Sequence, residues 1–97
     1  MKIEILPSSR NDKKFMARVD EKTIHFGAKG YQDFTTHKDP KRKERYLARH
    51  KERENWTKPD TAGFYARWVF WNKPTLADSV RDMNQRFPAH SFHLTTP

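Results

Sequence analysis

Lys41, Arg45, Arg49 and Arg53 recur at every fourth position. On a helix they form one ridge, four positive charges within about 18 Å at 1.5 Å rise per residue. Like charges at this spacing cost a helix a few tenths of a kcal/mol per pair, a penalty that a bound polyanion relieves. Lys38 and Arg42 flank the ridge, and Trp56 stands just beyond it, where an indole can stack on a nucleobase or anchor a protein partner. Nucleic-acid phosphates suit this pattern best, and two other readings stay open. Glu44, Glu52 and Glu54 follow Lys41, Arg49 and Lys51 by three residues, which could make the helix a solvated face laced with ion pairs. An acidic protein surface would also satisfy the ridge.

Other chemistry-bearing residues form weaker patterns. Gly27 and Gly30 bracket Ala28 and Lys29 in HFGAKGYQDFTTH, His25 to His37, and Tyr31 and Phe34 follow. Backbone amides there could approach an anion and the rings could stack on a base. No G-K-S or G-K-T follows as a Walker loop requires, so the glycines read foremost as the end of a strand. His37, Asp39 and His50 suggest a divalent cation, but the two histidines lack the i, i+4 spacing of H-E-x-x-H and no further acidic pair stands nearby. His50 reads as a partly buried, satisfied histidine and the others as surface residues. Ser8, Ser9, Ser79 and Ser91 have no glycine elbow and no adjacent base. With no cysteine, thiolate metal sites and cysteine nucleophiles are excluded. The expectation is a binding protein and not an enzyme, with no catalytic residue, no metal and no cofactor.

The whole chain must position that ridge within 97 residues, room for one small domain spanning 1–97. Large nucleotide-binding and barrel enzymes do not fit. Mean hydropathy is -1.13 and 34% of residues are apolar, values that lean toward disorder. The 13% aromatic content argues instead for a folded domain with a small aromatic core. Net charge is +8, and the surplus is uneven: four between residues 31 and 58, three before that stretch and one after it. The longest apolar run is Trp68 to Trp71, and residues 1–10 lack the apolar centre of a signal peptide. An intracellular protein, neither secreted nor membrane-bound, is expected.

Alternation predicts three strands in residues 1–30: Ile3 and Ile5, then Phe15, Ala17 and Val19, then Ile24 and Phe26. Pro7 to Asp12 reads as a loop and Asp20 to Lys22 as a tight hairpin. Three helices follow. Asp39 and Pro40 start one running from Lys41 to about Glu54, with Tyr46, Leu47 and His50 on a narrow apolar edge. Asp60 or Thr61 caps a second, ending near Asn72 and apolar nearly all round, which should lie across the sheet. Thr75 and Asp78 open a third, with Leu76, Val80, Met83 and Phe87 on one face. Residues 89–97 show too little periodicity for an element and read as a possible flexible tail. The expected class is α+β: an N-terminal three-stranded antiparallel sheet followed by three helices, the second packed on the sheet.

The run HFGAKGYQDFTTHKDPKRKERYLARHKERENW, continued by TAGFYARWVFWNKPTLADSVRDMNQRF, resembles an uncharacterised small-protein family of large nucleocytoplasmic DNA viruses of algae and protists. The resemblance spans about residues 24–87, and D-F-T-x-H-K-D and R-Y-x-x-R-H are its most distinctive segments. It implies a viral setting and transfers no site residue. Two functions follow: a small basic nucleic-acid-binding accessory protein holding phosphates through Lys38, Lys41, Arg42, Arg45, Arg49, Arg53 and Trp56, or a minor structural or interaction protein of a virion docking through its basic helix and aromatic surface. Neither DNA against RNA nor the oligomeric state is legible.

Overall fold

The computed structural model of the chain describes residues 2–95. Strands β1 (Lys2–Pro7), β2 (Lys13–Val19) and β3 (Lys22–Ala28) form the expected antiparallel meander. Its register pairs Ile5 with Ala17 and Ala17 with Ile24, so period-two alternation gathers the apolar side chains on one face. Ile3, Ile5, Ala17, Ile24 and Phe26 are buried there. Val19 pairs with Lys22, leaving Asp20 and Glu21 as a two-residue turn. Asp20 takes φ 55°, a left-handed conformation that short hairpins require and Asp tolerates.

The sheet has four strands and not three, and it is mixed. Strand β4 (Ser91–Leu94) lies parallel to β1, giving the order β3-β2-β1-β4. Four residues of the expected tail are therefore an edge strand with Phe92 in the core, while Thr96 and Pro97 lie outside the described residues. Four residues offer too little alternation to read, and the partner strand sits at the opposite end of the chain. Asn84 completes the outer edge: its Nδ2 donates to the Phe92 carbonyl at 3.0 Å, and the Phe92 N–H donates to its Oδ1 at 2.7 Å. One side chain thus satisfies backbone groups that a further strand would have paired.

Helices number four among the described residues. The unexpected one is the single turn α1 (Phe34–His37), which Asp33 starts with a capping box closed by Thr36. Helix α2 (Pro40–His50) begins as expected, with the Asp39 side chain accepting from the Lys41 N–H at 2.9 Å. It stops at His50 instead of about Glu54. Beyond that end the Glu54 carboxylate accepts from Trp56 Nε1 at 2.9 Å, lies 3.3 Å from His50 Nδ1 and fills the space where a Cβ on Gly63 would stand.

Helix α3 (Ala62–Tyr65) starts where Thr61 accepts from the Phe64 N–H, then widens into a π-helical stretch, Ala66–Phe70, closed by Trp71 N–H to Ala66 O at 3.2 Å. As expected it covers the sheet. Phe26 meets Tyr65 at 5.5 Å and Phe70 at 5.3 Å between ring centroids, and Phe64 faces Phe92. Trp68 instead turns toward Phe87, 5.5 Å away, and Trp71 toward α2. Periodicity alone hides this division, because the wider turn rotates each later side chain away from its 3.6-residue position. Helix α4 (Leu76–Arg86) keeps its Thr75 cap and buries Val80 and Met83. No helix among the described residues is long and apolar enough to cross a membrane.

Candidate nucleic-acid interface

A cleft of about 590 Å³ opens between α2, the end of β3, residues 31–33 and the π-helical stretch. Arg42, Arg45 and Arg49 line one wall. They stand at i, i+3 and i+7, a single face about 10.5 Å long. Tyr46, the one buried residue of α2, shares that wall and fixes which side of the helix turns inward. The expected ridge is thereby regrouped. Lys41 is exposed and does not line the cleft, and Arg53 sits in the turn beyond the helix. Arg42, expected at the flank, belongs to the central three.

The arginines differ in their engagements. Arg42 Nη1 donates to Gln32 Oε1 at 3.0 Å. Among the described residues the Arg45 and Arg49 side chains have no hydrogen bond and no acidic partner, and none of the expected i, i+3 pairs with Glu44, Glu52 and Glu54 forms. The reading of α2 as a face laced with ion pairs loses its support. Lys38 is held, since its Nζ donates to the carbonyls of Thr35 at 2.9 Å and Pro74 at 3.1 Å. Trp56 is half-buried, donates to Glu54 and lies under the Arg67 guanidinium. Its indole serves the interior.

Behind the arginines stands a column of rings. His50 stacks on Tyr46 at 4.1 Å, and Tyr46 on Trp71 at 4.1 Å with 4° between planes. His37 adjoins Trp71 at 5.3 Å. Burial pushes the Tyr46 hydroxyl well above its ordinary range, so it stays neutral. His50 is the partly buried histidine expected. His37, expected on the surface, is half-buried: its Nδ1 accepts from the Asp39 N–H at 2.9 Å, and its Nε2 is buried without a hydrogen-bond partner among the described residues. Burial first, then Arg42, lowers its pKa, against the opposing pull of Asp39 and Asp33. His90 likewise buries its Nδ1.

The floor and far wall come from the strand end. Gly27, at φ 77°, lies against Phe70 so closely that an added Cβ would stand 2.4 Å from the ring. Asp33, almost fully buried, accepts from Lys14 Nζ at 2.7 Å and from the Thr35 N–H at 2.9 Å. Lys14 also donates to the Tyr31 carbonyl. That lysine is consumed in fixing the loop, whereas the Tyr31 side chain is 74% exposed at the cleft mouth.

Sequence reasoning noted Tyr31 and missed its setting. The usable signal was R-x-x-R-Y-x-x-R-H, Arg42 to His50, which puts three arginines around an aromatic residue on one face. A second pairing was also hidden. Ser8 Oγ lies 2.7 Å from His25 Nδ1, seventeen residues on, outside the cleft. No group of three or more His, Asp or Glu side chains among the described residues is placed to hold a metal ion.

A model for a family of unknown function (DUF5754) matches residues 3–50. The match takes in β1 to β3, α1 and α2, including both distinctive segments noted above, and ends before the aromatic helix. It carries no viral link, so the viral setting rests on the sequence resemblance alone. No curated protein and no solved structure matches the chain. Over just under half its length, the half that contributes the arginine wall, this chain is similar to DUF5754.

Proposed function

We propose that the protein is a small basic nucleic-acid-binding accessory protein, and not an enzyme, that holds a phosphate backbone through the cleft face of α2. The observation that carries this reading is that Arg45 and Arg49 open on one cleft without an internal acidic partner, in a chain of net charge +8. Guanidinium groups left unpaired beside a concavity repel one another until an anion arrives, and their planar forks suit phosphate oxygens. Arg42, Arg45 and Arg49 make the central contacts. Lys41, Lys38 and Arg53 add field at the edges. Phosphate contacts carry no sequence information, so the binding is broad. An intracellular location, and the viral setting that the resemblance over residues 24–87 implies, are part of the same proposal.

Salt dependence of oligonucleotide binding tests it. Three phosphate contacts give a log–log salt slope of about -2.1 on single strands and about -2.7 on duplex DNA. Replacing Arg45 and Arg49 by Gln keeps helix propensity and should shrink these slopes by about 1.4 and 1.8. Absence of oligonucleotide binding by the wild-type protein at low salt would remove the reading, and an unchanged slope in the double variant would move the contact surface off α2.

A further inference from the structure

Tyr31 has a packed backbone and an unpacked ring. Its carbonyl accepts from Lys14, its N–H from the turn reaches the Ala28 carbonyl at 3.4 Å, and the Asp33 capping box follows two residues later. Gly30, at φ 89° with open space around its α-carbon, makes the turn that sends the side chain outward. Every other phenylalanine, tyrosine and tryptophan among the described residues is buried or half-buried, and the Tyr31 ring stacks on no other ring there. A chain this short of apolar surface has left one aromatic in water, on anchored backbone, at the mouth of its arginine-lined cleft.

We infer that the cleft takes single-stranded nucleic acid, with one nucleobase lying on the Tyr31 ring and neighbouring phosphates on Arg45 and Arg49, an inference that rests on the phosphate-binding reading above. In a duplex each base already has neighbours on both faces, and a ring inside a cleft cannot reach them without unstacking. A single strand offers its base faces freely. Aromatic platforms beside a cationic groove are the general means of holding such strands, and they tolerate any base because each has a π-face. The cleft volume lies within the roughly 300–1,000 Å³ of small-ligand sites, room enough for a nucleotide.

The test compares three fluorescent probes of about 12 nucleotides, within the roughly 4–16 that single-strand modules cover. They are an oligothymidine, an abasic strand with the same phosphates, and a duplex. The oligothymidine should bind about tenfold or more tighter than the abasic strand. Tyr31→Ala should abolish that difference with little effect on the abasic strand, while Tyr31→Phe retains it. The exposed position makes loss of fold an unsuitable explanation, and circular dichroism of both variants checks this. Equal affinity for oligothymidine and abasic strand, or a Tyr31→Ala variant that keeps the difference, overturns the stacking inference and leaves phosphate binding standing. Tightest binding to the duplex overturns the single-strand assignment. No binding of any probe overturns both readings and points to an acidic protein surface as the occupant.

Discussion

Two clusters of arginine and aromatic rings adjoin the π-helical stretch, and they are built on opposite terms. In the first, the Arg67 guanidinium lies 4.1 Å from the Trp68 ring and 5.3 Å from Trp56, and its Nη1 donates to the Trp71 carbonyl at 2.8 Å. Arg86 covers Trp68 at 4.5 Å and pairs with Asp82, which also accepts from Asn72 Nδ2 at 2.8 Å. Burial lowers the Arg67 pKa from its ordinary value without discharging it. Here rings cover both cations, Asp82 meets Arg86 and the Trp71 carbonyl meets Arg67, whose buried Nε has no hydrogen-bond partner among the described residues. In the second cluster the rings pair with one another, His50 on Tyr46 on Trp71, and the arginines stand in front of them. The contrast teaches that composition does not separate structural cations from binding ones. What separates them is whether the fold supplies their partners.

Removing the hub of the first cluster should have the largest effect. Trp68 is buried, meets Phe87, lies under two guanidinium groups and donates through Nε1 to the Trp56 carbonyl at 2.8 Å. Trp68→Ala should cost about 3–5 kcal/mol, enough to unfold much of a small domain. A melting temperature unchanged within error would place that tryptophan outside the core.

The two turn glycines sharpen the comparison on the cleft side. Gly27→Ala combines a left-handed residue, about 1–2 kcal/mol, with overpacking against Phe70, about 1–3 kcal/mol. Gly30→Ala meets no neighbouring atom, so only the left-handed term of about 1–2 kcal/mol applies. Chemical denaturation should therefore rank Gly27→Ala as the more damaging, and the reverse order would mean that Phe70 yields freely.

Replacing a single arginine in each cluster tests the contrast directly. Arg67→Met keeps the apolar stem and loses the cation and its hydrogen bond, so stability should fall by about 1–3 kcal/mol. Arg49→Gln should change stability by less than about 0.5 kcal/mol, as for a surface site, and weaken oligonucleotide binding. Equal stability losses from the two would erase the distinction between surrounded and open cations.

The sequence made legible whatever repeats locally. Strands β1 to β3 show two or three alternations each, and the Asp39, Thr61 and Thr75 caps announce helix starts with one residue type in one place. Strand β4 was hidden because its reason for being a strand is β1 and the Asn84 amide, both remote in sequence. The early end of α2 was hidden as well, and beyond it the Glu54 carboxylate meets Trp56 and Gly63. Of the candidate site, the cations were visible and their sorting was not. Arg45, Arg49 and Arg67 look alike in a composition, and it is the π-helical stretch, which sets Arg67 against Trp68 and Trp71 onto Tyr46, that gives them different partners.

The smallest predicted effect lies at the joint between α1 and α2, where His37 closes the end of the ring column. Its Nδ1 accepts from the Asp39 N–H, so the neutral ring carries its proton on Nε2, and protonating Nδ1 would break the bond that positions the α2 cap. Burial, followed by Arg42, holds the folded pKa below the 6.5 of the unfolded chain. Between the two values the unfolded chain binds the extra proton, so stability rises with pH across that window. The contribution is fully present above about pH 6.5 and is lost as pH falls through the lower folded value. His37→Gln removes the titration, and subtracting its stability-against-pH curve from the wild-type curve cancels the other histidines. The difference should fall on the acid side of about pH 6.5 and be flat above it. A flat difference at all pH values would mean that protonated His37 is as well accommodated in the fold as in water, and a difference of opposite slope would mean that Asp39 and Asp33 outweigh its burial.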